Sequence, residues 1–263
     1  MAKRILTTIL GLPILYFVLT TGGKVLSISL LITTMIGMHE FYSSVELGGY
    51  KPVKWAGYLP TLALFGFFGF GANIGVIMSL LPLFLLLLLI YWVISYEKFE
   101  FQDVLVTSFG FMYVALLFFT LMLIDHLNIR HVIWLVFVIS WSCDSLAYLT
   151  GIAIGKHKLS PEISPKKTIE GAVGGIIGSM FGCFMFAYYL MPEYTISITL
   201  LGLVGSIFSQ TGDLTASLIK RKIGIKDFGR LFPGHGGVLD RFDSILFAAP
   251  VVYAYLSFWM MNV

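Results

Sequence analysis

Charged residues are scarce in this chain of 263 residues, at 12% of the total, against roughly a quarter in ordinary soluble domains. Apolar residues make up 58%, and a soluble domain of this length could not bury so much apolar surface in one core. The same shortage of charge excludes intrinsic disorder. With only two cysteines, a disulfide-stabilised scaffold is excluded as well. The composition therefore indicates an integral membrane protein.

Short alternating segments, which are typical of membrane β-barrels, are also missing, whereas long unbroken apolar runs are frequent. Since each helical crossing needs about 20 mainly apolar residues, we predict an all-α, polytopic integral membrane protein with about nine transmembrane helices. The predicted spans are Ile5–Thr21, Val25–Tyr42, Trp55–Ala72, Ile74–Tyr96, Val104–Ile124, Val132–Ile154, Ala172–Met191, Tyr194–Ile219 and Ile245–Met261. We expect a tight hairpin near Gly71 and Asn73, and buried free thiols at Cys143 and Cys183, which lie inside apolar runs. The first span lacks a following cleavage site, so we expect it to be retained.

Lysine and arginine are distributed unequally between the two sides that these spans define. Fifteen of the 17 fall at the N-terminus or in the even-numbered gaps between spans, and only Lys24 and Arg130 fall on the other side. Because positive residues accumulate in cytoplasmic loops, we expect a cytoplasmic N-terminus and a C-terminus outside.

Two long cytoplasmic loops, 155–171 and 220–243, hold ten of the seventeen cationic residues. We therefore predict two parts that differ in role. Residues 1–130 form transmembrane helices with a mainly packing role, and residues 131–263 form the catalytic helices with their two loops. The first part carries almost no chemistry beyond His39 and Glu40.

Two aspartates lie inside predicted spans, where ionisable groups are costly and functional by default. They are Asp144 in span six and Asp213 in span eight. Helical spacing places four polar residues on one face of span eight, namely Gln210, Asp213, Ser217 and Lys220. The alternative for both acids is a hydrogen-bonded clamp between helices.

The segment 220–243 combines six cations with aspartates, one histidine and a Pro-Gly-His-Gly-Gly turn. Glycines allow backbone N–H groups to approach an anion, and cations neutralise it. Asp240 and Asp243 are one helical turn apart, and carboxylates at this spacing suit Mg²⁺ with substrate phosphates. Such a set is typical of phosphoryl and nucleotidyl transfer. Attraction to anionic lipid, the alternative, explains the cations but not the acids or glycines.

At these residues the chain resembles the phosphatidate cytidylyltransferase family, also called CDP-diacylglycerol synthases. The family pattern runs S-x-x-K-R, then K-D, P-G-H-G-G and D-R-x-D. It is met by Ser217, Lys220, Arg221, Lys226, Asp227, Pro233, Gly234, His235, Gly236, Gly237, Asp240, Arg241 and Asp243. Upstream it extends to Gly212 and Asp213, to Asp144 with Tyr148, and to the S-P-K-K-T segment 164–168 with Glu170 and Gly171. The chain departs from the pattern at Ala216, where many bacterial members have Glu, and at Ile152, where an Arg is frequent.

The resemblance implies that CTP and phosphatidic acid react to give CDP-diacylglycerol and pyrophosphate for phospholipid synthesis. The implied catalytic residues are Asp213, Asp240, Lys220, Arg221, Lys226, His235 and Arg241. The implied substrate-binding residues are Ser164, Lys166, Lys167, Thr168, Ser217, Arg230, Gly236 and Gly237. For Mg²⁺ we expect Asp213 and Asp240 first, then Asp144 and Asp243, and a second cation could be monovalent or divalent. His235 either stabilises the pyrophosphate or caps its turn.

The partners that follow are CTP, phosphatidic acid and the lipid bilayer, without nucleic acid, and a homodimer is left open. We expect a multi-pass protein of the inner (cytoplasmic) membrane whose active site faces the cytoplasm. Two other functions compete with this one. A CTP-dependent lipid-alcohol kinase would use similar groups to transfer the γ-phosphate. A transporter would use Asp144 and Asp213 as coupling acids, although no inverted repeat is visible.

Overall fold

The computed structural model describes residues 2–129, 131–231, 234 and 236–260, without the side chains of residues 2–10 and 259–260. Several sequence predictions concern residues outside this description. They are Arg130, Pro233, His235, the end of the last span at Met261, and the side chains of Lys3 and Arg4.

Helices make up most of the described chain. They are α1 Ala2–Thr21, α2 Gly23–Leu47, α3 Lys54–Gly69, α4 Ile74–Ile94, α5 Phe101–Gly110, α6 Leu117–His126, α7 Ile133–Ile154, α8 Ile169–Leu190, α9 Thr195–Ile223 and α10 Leu239–Met260. A π-helical segment, Phe111–Leu116, joins α5 to α6, and a 3₁₀ turn, Pro192–Tyr194, precedes α9. The one departure from the all-α prediction within the described residues is an antiparallel hairpin of β1 Lys158–Ser160 and β2 Ser164–Thr168.

Six helices of the described chain are long and apolar enough to cross a membrane. They are Gly23–Leu47, Ile74–Ile94, Phe101–His126, Ile133–Ile154, Ile169–Leu190 and Pro192–Ile223. A predominantly helical, multi-pass membrane protein is thereby confirmed, whereas the count of nine crossings stays a prediction. The helix at the third predicted span, Lys54–Gly69, contains only 16 residues. It ends before the predicted boundary at Ala72.

The turn between α3 and α4 lies where the sequence predicts it. Gly71 has a φ of 85°, a left-handed conformation that glycine adopts without steric cost. Asn73 then caps α4, because its side-chain oxygen accepts the backbone N–H of Gly75 at 2.7 Å.

The chain divides into two compact units. The first contains Met1–Met122 and Lys222–Asp240, and the second contains Leu123–Arg221 and Arg241–Val263. The predicted division of roles between residues 1–130 and 131–263 stays a prediction.

Tyr42 of α2 lies in the core of the first unit. Tyr42 is completely buried, and its hydroxyl donates to the carbonyl oxygen of Thr107 at 2.9 Å. Gly57 and Gly110 lie against the Tyr42 ring, where a side chain would overlap it. These glycines allow α3 and α5 to approach a bulky residue closely.

Glycines on α8 form the packing seam of the second unit. A Cβ atom at Gly174 would overlap Thr150 of α7, and one at Gly178 would lie 2.5 Å from the Leu146 Cβ. Four-residue glycine spacing therefore brings the two helices together, as small residues do in membrane helix pairs. Cys143 and Cys183 are free and buried in the same unit, which confirms the prediction for both thiols.

Candidate active site

The polar face predicted on span eight is present in helix α9. Ser217 lies one turn after Asp213, and its hydroxyl donates to Asp213 Oδ1 at 3.4 Å. The other carboxylate oxygen, Oδ2, lies 2.6 Å from the Lys167 ammonium nitrogen in an ion pair. Strand β2 presents that lysine, so two separate family-like motifs meet within the second unit. Gln210, on the same face, donates from Nε2 to the carbonyl oxygen of Ala172 at 3.1 Å.

Two further acids lie near Asp213. Asp144 accepts a hydrogen bond from the Ser244 hydroxyl at 3.4 Å, and Asp144, Asp213 and Asp243 are close enough to interact electrostatically. Gly212 sets the approach of α9 to α10, because a Cβ there would lie 2.5 Å from the backbone oxygen of Asp243. We call Asp144, Asp213 and Asp243 the acid cluster.

Three cations of the second unit interact with the acid cluster. Lys220 is almost fully buried, at 9% exposure, and interacts electrostatically with Asp243. Arg241 and Lys167 interact in the same way with Asp144. Arg221 is exposed. Cations and carboxylates are thus interleaved, which suits a ligand that contains both phosphates and a metal ion.

The β-hairpin carries the remaining predicted phosphate-binding residues of this unit. Ser164 begins β2, Lys166 is exposed, and Thr168 ends the strand. The Thr168 hydroxyl oxygen accepts the backbone N–H of Gly171 at 3.1 Å and thereby caps helix α8. This capping role is one that sequence reasoning missed, although Thr before an apolar helix is a recognised N-terminal signal.

The glycine loop comprises the described residues 224–231, 234 and 236–238, which belong to the first unit. Gly234 and Gly236 have φ values of 81° and 87°, so both need the conformational freedom of glycine. Lys226 and Arg230 are exposed on the same loop. The predicted role of His235 lies outside the described residues.

Asp240 stabilises the glycine loop from the first turn of α10. Its Oδ2 atom accepts the backbone N–H groups of Phe228 and Gly237, each at 2.9 Å. The carboxylate is buried, at 7% exposure, and a buried charge of this kind must be hydrogen-bonded to be tolerated. Asp240 therefore shapes the loop, and its role as a metal ligand stays a prediction.

Glu40 of α2 is a second buried carboxylate beneath the glycine loop. It accepts backbone N–H groups from Val238 and Leu239, at 2.9 and 3.0 Å. Sequence reasoning gave Glu40 no functional role. The rule applied to Asp144, that an acid inside an apolar run is functional by default, would have found it.

The acid cluster fits a hard divalent cation in the chemistry of its donors, which are all carboxylate oxygens. Within the described part of the chain, no three His, Cys, Asp or Glu side chains converge as a ready-made metal site. Mg²⁺ is commonly held by one or two carboxylates and completed by water and substrate phosphates. One or two members of the acid cluster would be a sufficient protein contribution.

Comparison with known proteins agrees with these motifs. A model of the cytidylyltransferase family matches residues 2–259. The chain is 35% identical to a phosphatidate cytidylyltransferase of Bacillus subtilis over 266 residues, covering 98% of each chain. A phosphatidate cytidylyltransferase of Staphylococcus haemolyticus is 36% identical over 263 residues, covering 96% of this chain and 97% of its own. The similarity thus extends over the N-terminal helices, where the sequence alone offers only a match of overall character.

Proposed function

This chain belongs to the cytidylyltransferase family, and we propose that it transfers the cytidylyl group of CTP to phosphatidic acid. The products are CDP-diacylglycerol and pyrophosphate. The observation that carries the proposal is the ion pair between Lys167 and Asp213, because it joins a phosphate-binding motif to an acid of the predicted metal site. The likeness to phosphatidate cytidylyltransferases along nearly the whole chain supports the same reaction.

The reaction needs no protein nucleophile. An oxygen of the lipid phosphate attacks the α-phosphorus of CTP and forms the new P–O bond. The bond from that phosphorus to the bridging oxygen of the β-phosphate breaks, and pyrophosphate leaves with the bonding electrons. Both substrates are strongly negative, so the protein must chiefly neutralise and position charge. Within the second unit, Lys167, Lys220 and Arg241 supply this positive charge.

Asp213, helped by Asp144 and Asp243, would hold Mg²⁺, which would supply positive charge against the phosphate oxygens of the substrates. Lys167 keeps Asp213 in place through the ion pair at 2.6 Å. A second cation, monovalent or divalent, remains part of the proposal.

The protein lies in the inner (cytoplasmic) membrane, with its N-terminus and both cationic loops on the cytoplasmic side. The unequal distribution of 15 against two cations supports this orientation, and CTP is a cytoplasmic nucleotide. Lys222→Cys offers a direct test, because Lys222 is exposed and both native cysteines are buried. We expect an impermeant thiol reagent to label Lys222→Cys only in permeabilised cells. The exposed Glu193 provides the matched position, since Glu193→Cys should be labelled in intact cells.

The reaction is tested with purified protein in detergent, phosphatidic acid, Mg²⁺ and CTP labelled at either the α- or the γ-phosphorus. We expect the α label to move into the lipid fraction and the γ label to leave as pyrophosphate. A lipid-alcohol kinase, supplied with its alcohol, would instead place the γ label in the lipid and release CDP. A transporter would move neither label. Either of these results would contradict the proposed reaction.

A further inference from the structure

Glu40 lies about two turns before the C-terminal end of the apolar helix α2, and the reaction proposed above does not use it. Its side chain is buried, at 7% exposure. One carboxylate oxygen, Oε1, accepts the N–H of Val238, and the other, Oε2, accepts the N–H of Leu239. Both oxygens are therefore engaged at the point where the glycine loop ends and α10 begins.

Two glycines of the loop lie directly against the same carboxylate. A Cβ atom at Gly229 would lie 2.6 Å from the Glu40 Cδ, and one at Gly237 would lie 2.5 Å from it. Neither Gly229 nor Gly237 has a positive φ. The reason for glycine at these two positions is therefore space for Glu40, rather than backbone conformation.

Neighbouring residues on the same face of α2 contact the loop as well. The Ser44 hydroxyl donates to the carbonyl oxygen of Phe228 at 3.2 Å, and the Phe41 and Phe228 rings lie 6.5 Å apart between centroids. One turn before Glu40, Gly37 lies against the Leu239 side chain, with 3.2 Å from an added Cβ to Leu239 Cδ2. Helix α2 thus contacts the glycine loop at Phe228 and Gly229 and again where the loop joins α10, and Glu40 takes part in both contacts.

A buried carboxylate is tolerated only when it is hydrogen-bonded, and bonds from N–H groups to an ionised oxygen are among the stronger ones. We propose that Glu40 is a positioning residue, which holds the glycine loop and the first turn of α10 in the conformation that binds the phosphates of CTP. Glu40 does not touch the substrate in this role. The proposal rests on the proposed function only for the identity of the phosphate ligand.

The first test uses Glu40→Gln, which keeps the shape of the side chain but removes its charge. The control is Thr34→Val, which changes a fully buried residue of the same helix whose hydroxyl bonds only within α2, to Leu30. We expect Glu40→Gln to raise KM for CTP about tenfold or more, with a smaller change in KM for phosphatidic acid. Glu40→Asp, which keeps the charge, should recover part of the loss. A normal KM for CTP in Glu40→Gln would overturn the proposal.

The second test uses the steric contact between Glu40 and Gly229. Gly229→Ala should be severely impaired alone, because its methyl group meets the carboxylate. In a Glu40→Ala background the same change should cost little more, since the space is then free. Contacting residues that act together give such non-additive pairs. Strictly additive losses would contradict the proposal.

A third measurement needs no activity. Lys226 and Arg230 are exposed on the loop, so trypsin cleavage after them reports how well the loop is held. We expect faster cleavage there in Glu40→Gln than in wild type or Thr34→Val, and unchanged cleavage would overturn the proposal. If the wild-type protein has no cytidylyltransferase activity but cleavage accelerates as expected, the proposed function fails while the positioning role of Glu40 stands.

Discussion

Asp213 and Asp240 stand in the same family-like pattern, but the structure surrounds them differently. Asp213, in the second unit, faces charges, because Lys167 pairs with it and two further acids lie within electrostatic range. Asp240, in the first unit, accepts two backbone N–H groups of the glycine loop through Oδ2, and it interacts electrostatically with another buried acid, Glu40. Residues of one type in one motif can thus serve charge balance in one region and backbone geometry in another.

Among the variants that test this difference in surroundings, we expect Asp213→Asn to have the largest effect, which is a fall in turnover. The substitution keeps the size of the side chain but removes the charge that pairs with Lys167 and that we propose to hold Mg²⁺. We expect kcat to fall at least on the order of a hundredfold, as for loss of a main electrostatic stabiliser, with an unchanged midpoint of thermal unfolding. Glu193→Gln, at an exposed acid of the 3₁₀ turn before α9, should retain wild-type kcat. A near-normal kcat at saturating Mg²⁺ would show that Asp213 is structural.

Asp240→Asn should affect stability as well as turnover. An amide accepts hydrogen bonds more weakly than a carboxylate, and bonds to charged groups contribute about 1.5–3 kcal/mol. We expect the midpoint of thermal unfolding to fall by several degrees and kcat to fall about tenfold or more. If Asp213→Asn and Asp240→Asn gave the same pattern in both measurements, their different surroundings would have no functional meaning.

Lys167→Met should change metal and nucleotide requirements in opposite directions. Without the lysine, the acid cluster becomes more negative, so half-maximal activity should need about 1.4- to fivefold less Mg²⁺. This range follows from about 0.2–1 kcal/mol for a partly exposed ion pair. KM for CTP should rise, because a cation that we propose to bind phosphate is lost. Lys166→Met, at the exposed neighbour, should raise that KM without lowering the Mg²⁺ requirement.

The smallest effect is expected at Thr168, which the sequence assigns to phosphate binding and the structure assigns to capping α8. Thr168→Ala should cost about 1 kcal/mol of stability and change kcat less than about threefold. Thr168→Asp separates the two roles, because aspartate caps helices well but repels phosphate. A stable Thr168→Asp variant with a greatly raised KM for CTP would return Thr168 to the substrate-binding set.

Features that depend on local periodicity could be predicted from the sequence. The shared face of Asp213 and Ser217, the turn at Gly71 and Asn73, and the close approach of α8 through its glycines all follow from spacing of a few residues. The β-hairpin was not predictable in this way, because its strands are three and five residues long and lack apolar alternation.

The hydrogen bonds between Glu40 and the glycine loop, in contrast, could not be predicted from local spacing. Glu40 and Val238 are 198 residues apart in the chain, and neither residue carries a local signal of the other. The sequence shows only an unexplained acid in an apolar run. Its partner is a backbone N–H group, which every residue except proline possesses, so no side-chain pattern could identify it.

The glycine seam of α8 has a genetic consequence. Every glycine codon is one base change away from codons for alanine, valine, arginine and an acidic residue, and each of these adds at least a Cβ atom. At Gly174 or Gly178 that atom would meet Thr150 or Leu146, so no missense mutation at either codon is sterically silent. Revertants of such alleles should mostly restore glycine at the same codon, because even alanine at Thr150 or Leu146 would keep the Cβ atom that the new side chain meets.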